Sequence, residues 1–185
     1  MKKSIILHGL IGGVISMSGF FFMELYNGNA HNEISMMVGY ASMLLAFSLI
    51  FVALKNYRDK QNGGVMSFGN AFKNGLLIAL VTSTVYVMAW LIYNTYFSPD
   101  FIEKYTEATL ATMAKEGKSA AEIQAQATEM KKFAEMYKNP FINAAITYTE
   151  ILPVGIIVSL LAALILKKKA NTEKDELNAF LGEQQ

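Results

Sequence analysis

The chain has 185 residues, of which 53% are hydrophobic, with a formal net charge of +1 and a mean hydropathy of +0.29. That balance is too apolar for an ordinary soluble domain and offers no basic stripe for nucleic acid, so a single membrane domain is the expectation. With no cysteine, disulfides, zinc–thiolate sites and thiol nucleophiles are excluded, and two histidines, His8 and His31, cannot build a histidine-rich metal cluster.

Lys2 and Lys3 precede an apolar run from Ile5 to Leu25. At about 1.5 Å per residue this run spans a hydrocarbon layer of ~30 Å. Its alternative is a cleaved secretory signal ending near Gly28-Asn29-Ala30, but a signal core has only ~7–15 apolar residues, so a retained span is expected. Gly9, Gly12, Ser16 and Gly19 leave a narrow face on which another helix can lie closely.

A second span is read from Ile34 to Leu54, with Gly39, Ser42, Ala46 and Ala53 on its narrow face. The polar stretch from Lys55 to Gly64 then reads as a loop at a membrane surface. Ser67 should cap the next helix, with Phe68, Ala71 and Phe72 forming an interfacial elbow into a third span over residues 74–97. Gly75, Ala79, Thr82 and Ser83 are its packing residues, and Tyr86, Trp90, Tyr93 and Tyr96 gather towards its far end, as aromatics do at an interface.

The hydrophilic region 98–139 reads as a helical hairpin. Ser98 is expected as an N-cap before Pro99, Gly117 as a left-handed stop, and Ser119 to Glu122 as a capping box. Ile102, Tyr105, Thr109 and Met113 make one weak apolar stripe; Ile123, Ala127, Met130, Ala134 and Tyr137 make a stronger one. Isolated helices of this length are marginal, so the stripes should face each other, the membrane or a partner. Asn139-Pro140 opens a fourth span over 141–166, in which Gly155, Ser159 and Ala162 form a narrow face and Pro153 suggests a bend or local unwinding. Lys167, Lys168 and Lys169 close it. The tail 170–185 carries Leu177, Phe180 and Leu181 at helical spacing.

The expected fold is therefore all-α: an integral membrane four-helix bundle, residues 1–169, with an extracytoplasmic helical hairpin between spans three and four. If the termini and the 55–73 stretch share a side, that side holds Lys2, Lys3, Lys55, Arg58, Lys60, Lys73, Lys167, Lys168, Lys169 and Lys174, whereas the hairpin cations are diluted by acids. The positive-inside rule then places both termini in the cytoplasm.

Two polar groupings are candidate sites. In the 55–64 stretch, Lys55, Arg58, Asp59 and Lys60 are either ordinary membrane anchors or a head-group or carboxylate site in which Asp59 orients the Arg58 fork. Near the opposite boundary, Glu24 and Glu150, with Tyr93, Asn94 and Tyr148, would make a polar site, since a carboxylate inside a span marks a pathway by default; the plainer reading puts both acids in wet span ends. His8 is expected to be an interface residue or a packed, hydrogen-bonded group rather than a proton relay, and the eleven methionines to fill packing gaps. No phosphate loop, nucleotide fingerprint, nucleophile elbow or metalloprotease helix occurs in the sequence, so neither a catalytic residue, a cofactor nor a metal site is expected.

Residues 39–47, 55–60 followed by Gly63 and Gly64, and 67–76 together resemble an uncharacterised bacterial membrane family, domain of unknown function 4199. The resemblance extends over most of the chain up to Leu166. It implies a small four-span protein of the bacterial cytoplasmic (inner) membrane and no particular activity. The leading functional expectation is a structural or interaction role, with lipid and a protein partner or a second copy as contacts and nucleic acid as none. A small transporter or channel is the alternative, and a lipid-modifying enzyme the third reading.

Overall fold

The computed structural model describes the backbone of residues 1–25 and 33–169 and the side chains of 1–19 and 37–169. The expectations for the 28–30 site, His31, Lys174 and the tail stripe lie outside the described residues. Among the described residues there are six helices: α1 Lys2–Leu25, α2 Glu33–Gln61, α3 Phe68–Tyr96, α4 Phe101–Lys115, α5 Ala120–Tyr137 and α6 Pro140–Leu166. Three of them, α2 from Met37, α3 and α6, are long and apolar enough to cross a membrane.

Four long helices pack together. α1 lies on α2 and α3, α6 lies on α3 and α2, and α2 meets α3 across the middle. Small residues make this possible: a Cβ on Gly9 would lie 2.6 Å from the Val81 side chain, one on Gly13 would strike Val85, and Thr82 Oγ1 donates to the Gly9 carbonyl at 3.2 Å. On the other side of α3, Ala79 and the Phe47 ring meet α6 at Gly155, where a Cβ would come within 2.8 Å of each. Every small residue named above for α3 and α6 is buried, as are Ala46 and Ala53 of α2.

The interior mixes Phe47, Ile50, Leu54, Ile78 and Ile151 with buried Ser16, Thr82, Ser83, Asn143, Thr147 and Ser159. Large aliphatics face outwards instead, including Leu7, Leu10 and Val14 on α1, Leu44 and Leu45 on α2, and Ile157, Leu161 and Ile165 on α6. A soluble bundle would reverse that distribution, because outward leucines gain nothing from water.

At one end, here called the terminal end, three parts of the chain meet. The Met1 amine donates to Gln61 Oε1 at 3.5 Å, and Met66 and Lys168 exchange two backbone hydrogen bonds of 2.8 Å as an isolated antiparallel bridge. Between them, Gly63 and Gly64 take φ of +60° and +77°, the left-handed region that lets the chain reverse. Asn62 Nδ2 donates to the Val65 carbonyl at 2.6 Å and closes that turn.

At the other end, α4 and α5 pack on each other and α5 returns to α6. Gly117, at φ +76°, stops α4 in a Schellman pattern, with the Lys118 amide on the Met113 carbonyl and its own on Ala114. Ser119 and Glu122 form the expected capping box, and Asn139 Oδ1 accepts from the Phe141 amide with Pro140 in the first turn of α6.

Not every expectation holds. Lys55 to Gln61 is helix, because the apolar run ends at Lys55 but lysine, arginine and glutamine sustain a helix until the glycines stop it. Ser98 does not cap α4: its amide closes α3 on the Tyr93 carbonyl, and Pro99 and Asp100 form a turn from the Ser98 carbonyl to the Phe101 amide. Both hairpin stripes face inwards: on α5 Met130 and Tyr137 are buried, and on α4 Ile102, Thr109 and Met113 are half-buried, with Tyr105 alone of that stripe exposed. α6 does not unwind at Pro153, which lies inside the continuous helix, and the elbow is simply the first turn of a continuous α3, with Ala71 buried and Phe68 stacked on Phe72 at 6.0 Å.

Candidate functional site

Polar side chains concentrate where α3, α5 and α6 converge, at the α4–α5 end. The α5 stripe delivers Tyr137 to α3, and Trp90 Nε1 donates to its hydroxyl at 2.7 Å in a buried hydrogen bond. Phe101 meets the Trp90 ring edge-on at 4.9 Å, Tyr93 lies 5.9 Å from it, and Phe133 lies 5.4 Å from Tyr137. An indole donor and a phenol are costly to bury alone, so each supplies the partner the other needs.

Helix α6 completes the group. Asn143 and Thr147 are buried one turn apart, with Thr147 Oγ1 donating to the Asn143 carbonyl at 2.9 Å and also hydrogen-bonded to Tyr137. Glu150 stands a turn further along, exposed on the flank of the helix, and its charge reaches the hydroxyls of Tyr86 and Tyr137. Burial pushes the Tyr137 phenol up; its hydrogen bonds oppose that rise, while the Glu150 charge adds to it. The result is a carboxylate within electrostatic reach of two phenols, at a junction that otherwise closes on itself.

The expected site residues separate. Tyr93 belongs to the aromatic cluster, stacked on Phe97 at 6.1 Å. Asn94 is half-buried, and its Oδ1, like the buried Ser83 Oγ, has no hydrogen-bond partner. Tyr148 turns its hydroxyl to Thr84 Oγ1, 2.8 Å away on α3. Glu24 is in the last turn of α1, and its side chain lies outside the described residues. Tyr86, Tyr137, Asn143 and Thr147 are the neighbours that sequence reasoning missed as a group. Trp90 and Tyr137 were each visible as aromatics, but nothing local links residues 47 apart.

At the terminal end, Arg58 Nε and Nη2 donate to Asp59 at 2.6 and 3.2 Å, and Nη1 donates to the Leu166 carbonyl at 3.3 Å. Asp59 therefore orients the guanidinium fork, and the fork ties the end of α2 to the negative end of the α6 dipole. Lys55 and Lys60 are exposed, with Lys55 and Lys168 both within electrostatic reach of Asp59. His8 is packed as expected, its Nδ1 2.8 Å from the Ser4 carbonyl. Among the described residues, no group of three histidines or acids is placed to hold a metal ion.

No curated protein and no solved structure matches the chain. A family model does, over residues 7–168, and its description is "Protein of unknown function (DUF4199)". The stretches from Gly39 to Leu76 that carried the resemblance fall inside the matched range, which takes in α2, α3, the α4–α5 pair and α6. This chain therefore belongs to the family of proteins of unknown function DUF4199.

Proposed function

We propose that the protein is a four-span component of a bacterial cytoplasmic membrane, with α1 as the remaining span, both termini inside and the α4–α5 hairpin outside. Its role is to present that hairpin to a protein partner. The outward aliphatics of α1 support the first point, and the cations Lys2, Lys3, Lys55, Lys60, Lys73 and Lys167 to Lys169 at the terminal end support the orientation.

The observation that carries the interaction role is the Trp90–Tyr137 junction. It holds α5 against the bundle by its apolar stripe while the charged faces of the pair, with Glu129 and Lys132 among them, stay exposed. A photo-crosslinking residue placed at Glu129 or Lys132 in native membranes is expected to trap one defined adduct, and the same residue at buried Met130 none. Adducts at neither exposed position would remove the interaction reading.

A small transporter or channel is the second reading, favoured by Glu150 of α6 lying within electrostatic reach of the Tyr86 and Tyr137 hydroxyls. It requires Glu150→Gln to abolish function with normal expression, and full complementation by that variant would eliminate it.

A further inference from the structure

Asn143, Glu150 and Ile157 stand seven residues apart on α6, and seven residues make two turns to within about 20°, so the three share one line along the helix. Exposure changes along that line. Asn143 is 2% exposed, at the end where α5 returns to α6, while Ile157 is 58% exposed. Glu150, between them, is already exposed. One turn from it Thr147 is buried and hydrogen-bonded to Tyr137, so the phenol of α5 ends where the open stretch of α6 begins. The Tyr86 hydroxyl of α3 is also within electrostatic reach of Glu150.

Glu150 is the only charged residue from Asn139 to Leu166, and no hydrogen-bond donor or cation among the described residues pairs with it. Its distance from Leu166 is 166 − 150 = 16 residues, about 24 Å along the axis, short of the ~30 Å of a hydrocarbon layer. A bare carboxylate at that depth is costly and calls for a counter-charge. A hard metal ion would need several oxygens around it, and among the described residues no group of three acids or histidines could supply them. An organic cation needs no such shell, because its charge is spread over many atoms and aromatic rings can share in holding it. We infer that Glu150 is the counter-ion of a lipophilic organic cation, which enters from the bilayer along the open stretch of α6 and stops at the phenols of Tyr137 and Tyr86. The inference rests on the membrane reading above and gives the transporter reading its class of ligand.

The test is equilibrium dialysis of the full chain in mild detergent against tetraphenylphosphonium, with tetraphenylborate, an anion of the same shape, in parallel. The parent should bind the cation saturably, and the anion at least about tenfold more weakly. Glu150→Gln, an isosteric change at an exposed position, should weaken cation binding about tenfold or more while helix content stays unchanged. Glu107→Gln on α4, also exposed, should alter it less than about twofold. The double variant E150Q/I157E moves the carboxylate two turns along the same line, away from the phenols, and should not restore binding. Restoration there would reduce the site to any acid on an apolar face and overturn the inference. So would equal binding of the two probes, cation binding unchanged by Glu150→Gln, or a folded parent that binds no cation. Loss of function in cells on Glu150→Gln, with no probe bound by the parent, sinks this inference alone. Probe binding together with full complementation by Glu150→Gln sinks the transporter reading and leaves the cation site standing.

Discussion

Gly155 is where single atoms decide the packing. The Phe47 ring and Ala79 fill the space a side chain would need, so Gly155→Leu must push two helices apart. Overpacking of that kind costs about 1–3 kcal/mol, and the loss should appear as easier unfolding by SDS in mixed micelles. Tyr137→Phe is subtler: it leaves the Trp90 indole N–H buried without its acceptor, at a cost of about 1–3 kcal/mol. Because the damage falls on the hairpin junction, limited proteolysis between α4 and α5 should accelerate while the four long helices stay protected. The small residues on α3 and α6 could be read in advance, since their spacing is a local pattern that one helix alone displays. The polar pairs were hidden for the opposite reason. Tyr148 with Thr84, and Arg58 with the Leu166 carbonyl, join residues far apart in the chain, and each partner alone looks like any interfacial side chain.

Helix starts followed rules of sequence where a side chain could do the capping, at Ser67, Ser119 and Asn139. They misled where two elements compete for one residue, since Ser98 has the right chemistry for a cap but its amide is used in ending α3. Composition misled at Lys55 to Gln61, because polarity marks the edge of a membrane and not the end of a helix. The capping box also makes the start of α5 sensitive to acid. Hydrogen bonds from the Ser119 hydroxyl and then its amide hold the Glu122 carboxylate below the ordinary glutamate range. A depressed native value means that the cap's contribution is complete above the unfolded glutamate range and is lost as pH falls through the native value. Amide exchange in the first turn of α5 should therefore speed up on acidification, beyond the intrinsic trend, and Glu122→Gln should remove that added dependence.

For the molecule as a whole, the up-and-down course of the long helices brings Met1, the 62–67 turn and Lys168 to one end and the α4–α5 pair to the other. The absence of native cysteine makes this directly testable. In intact cells an impermeant thiol reagent should label Lys118→Cys and spare Asn62→Cys, with the reverse pattern overturning the proposed orientation. Gross architecture was legible because long apolar helices announce themselves by length and composition, whereas the order in which they pack depends on complementary shapes that no single run displays.

The two-bond clasp between Met66 and Lys168 also sets a clock on biosynthesis. The second partner is made 168 − 66 = 102 residues after the first, which at roughly 5–20 residues per second is a delay of about 5–20 s. Throughout that interval the Lys168 partner of the Met66 backbone does not yet exist. Closure comes only once α6 has been made, so among the described residues the clasp joins the early part of the chain to one of the last parts synthesised.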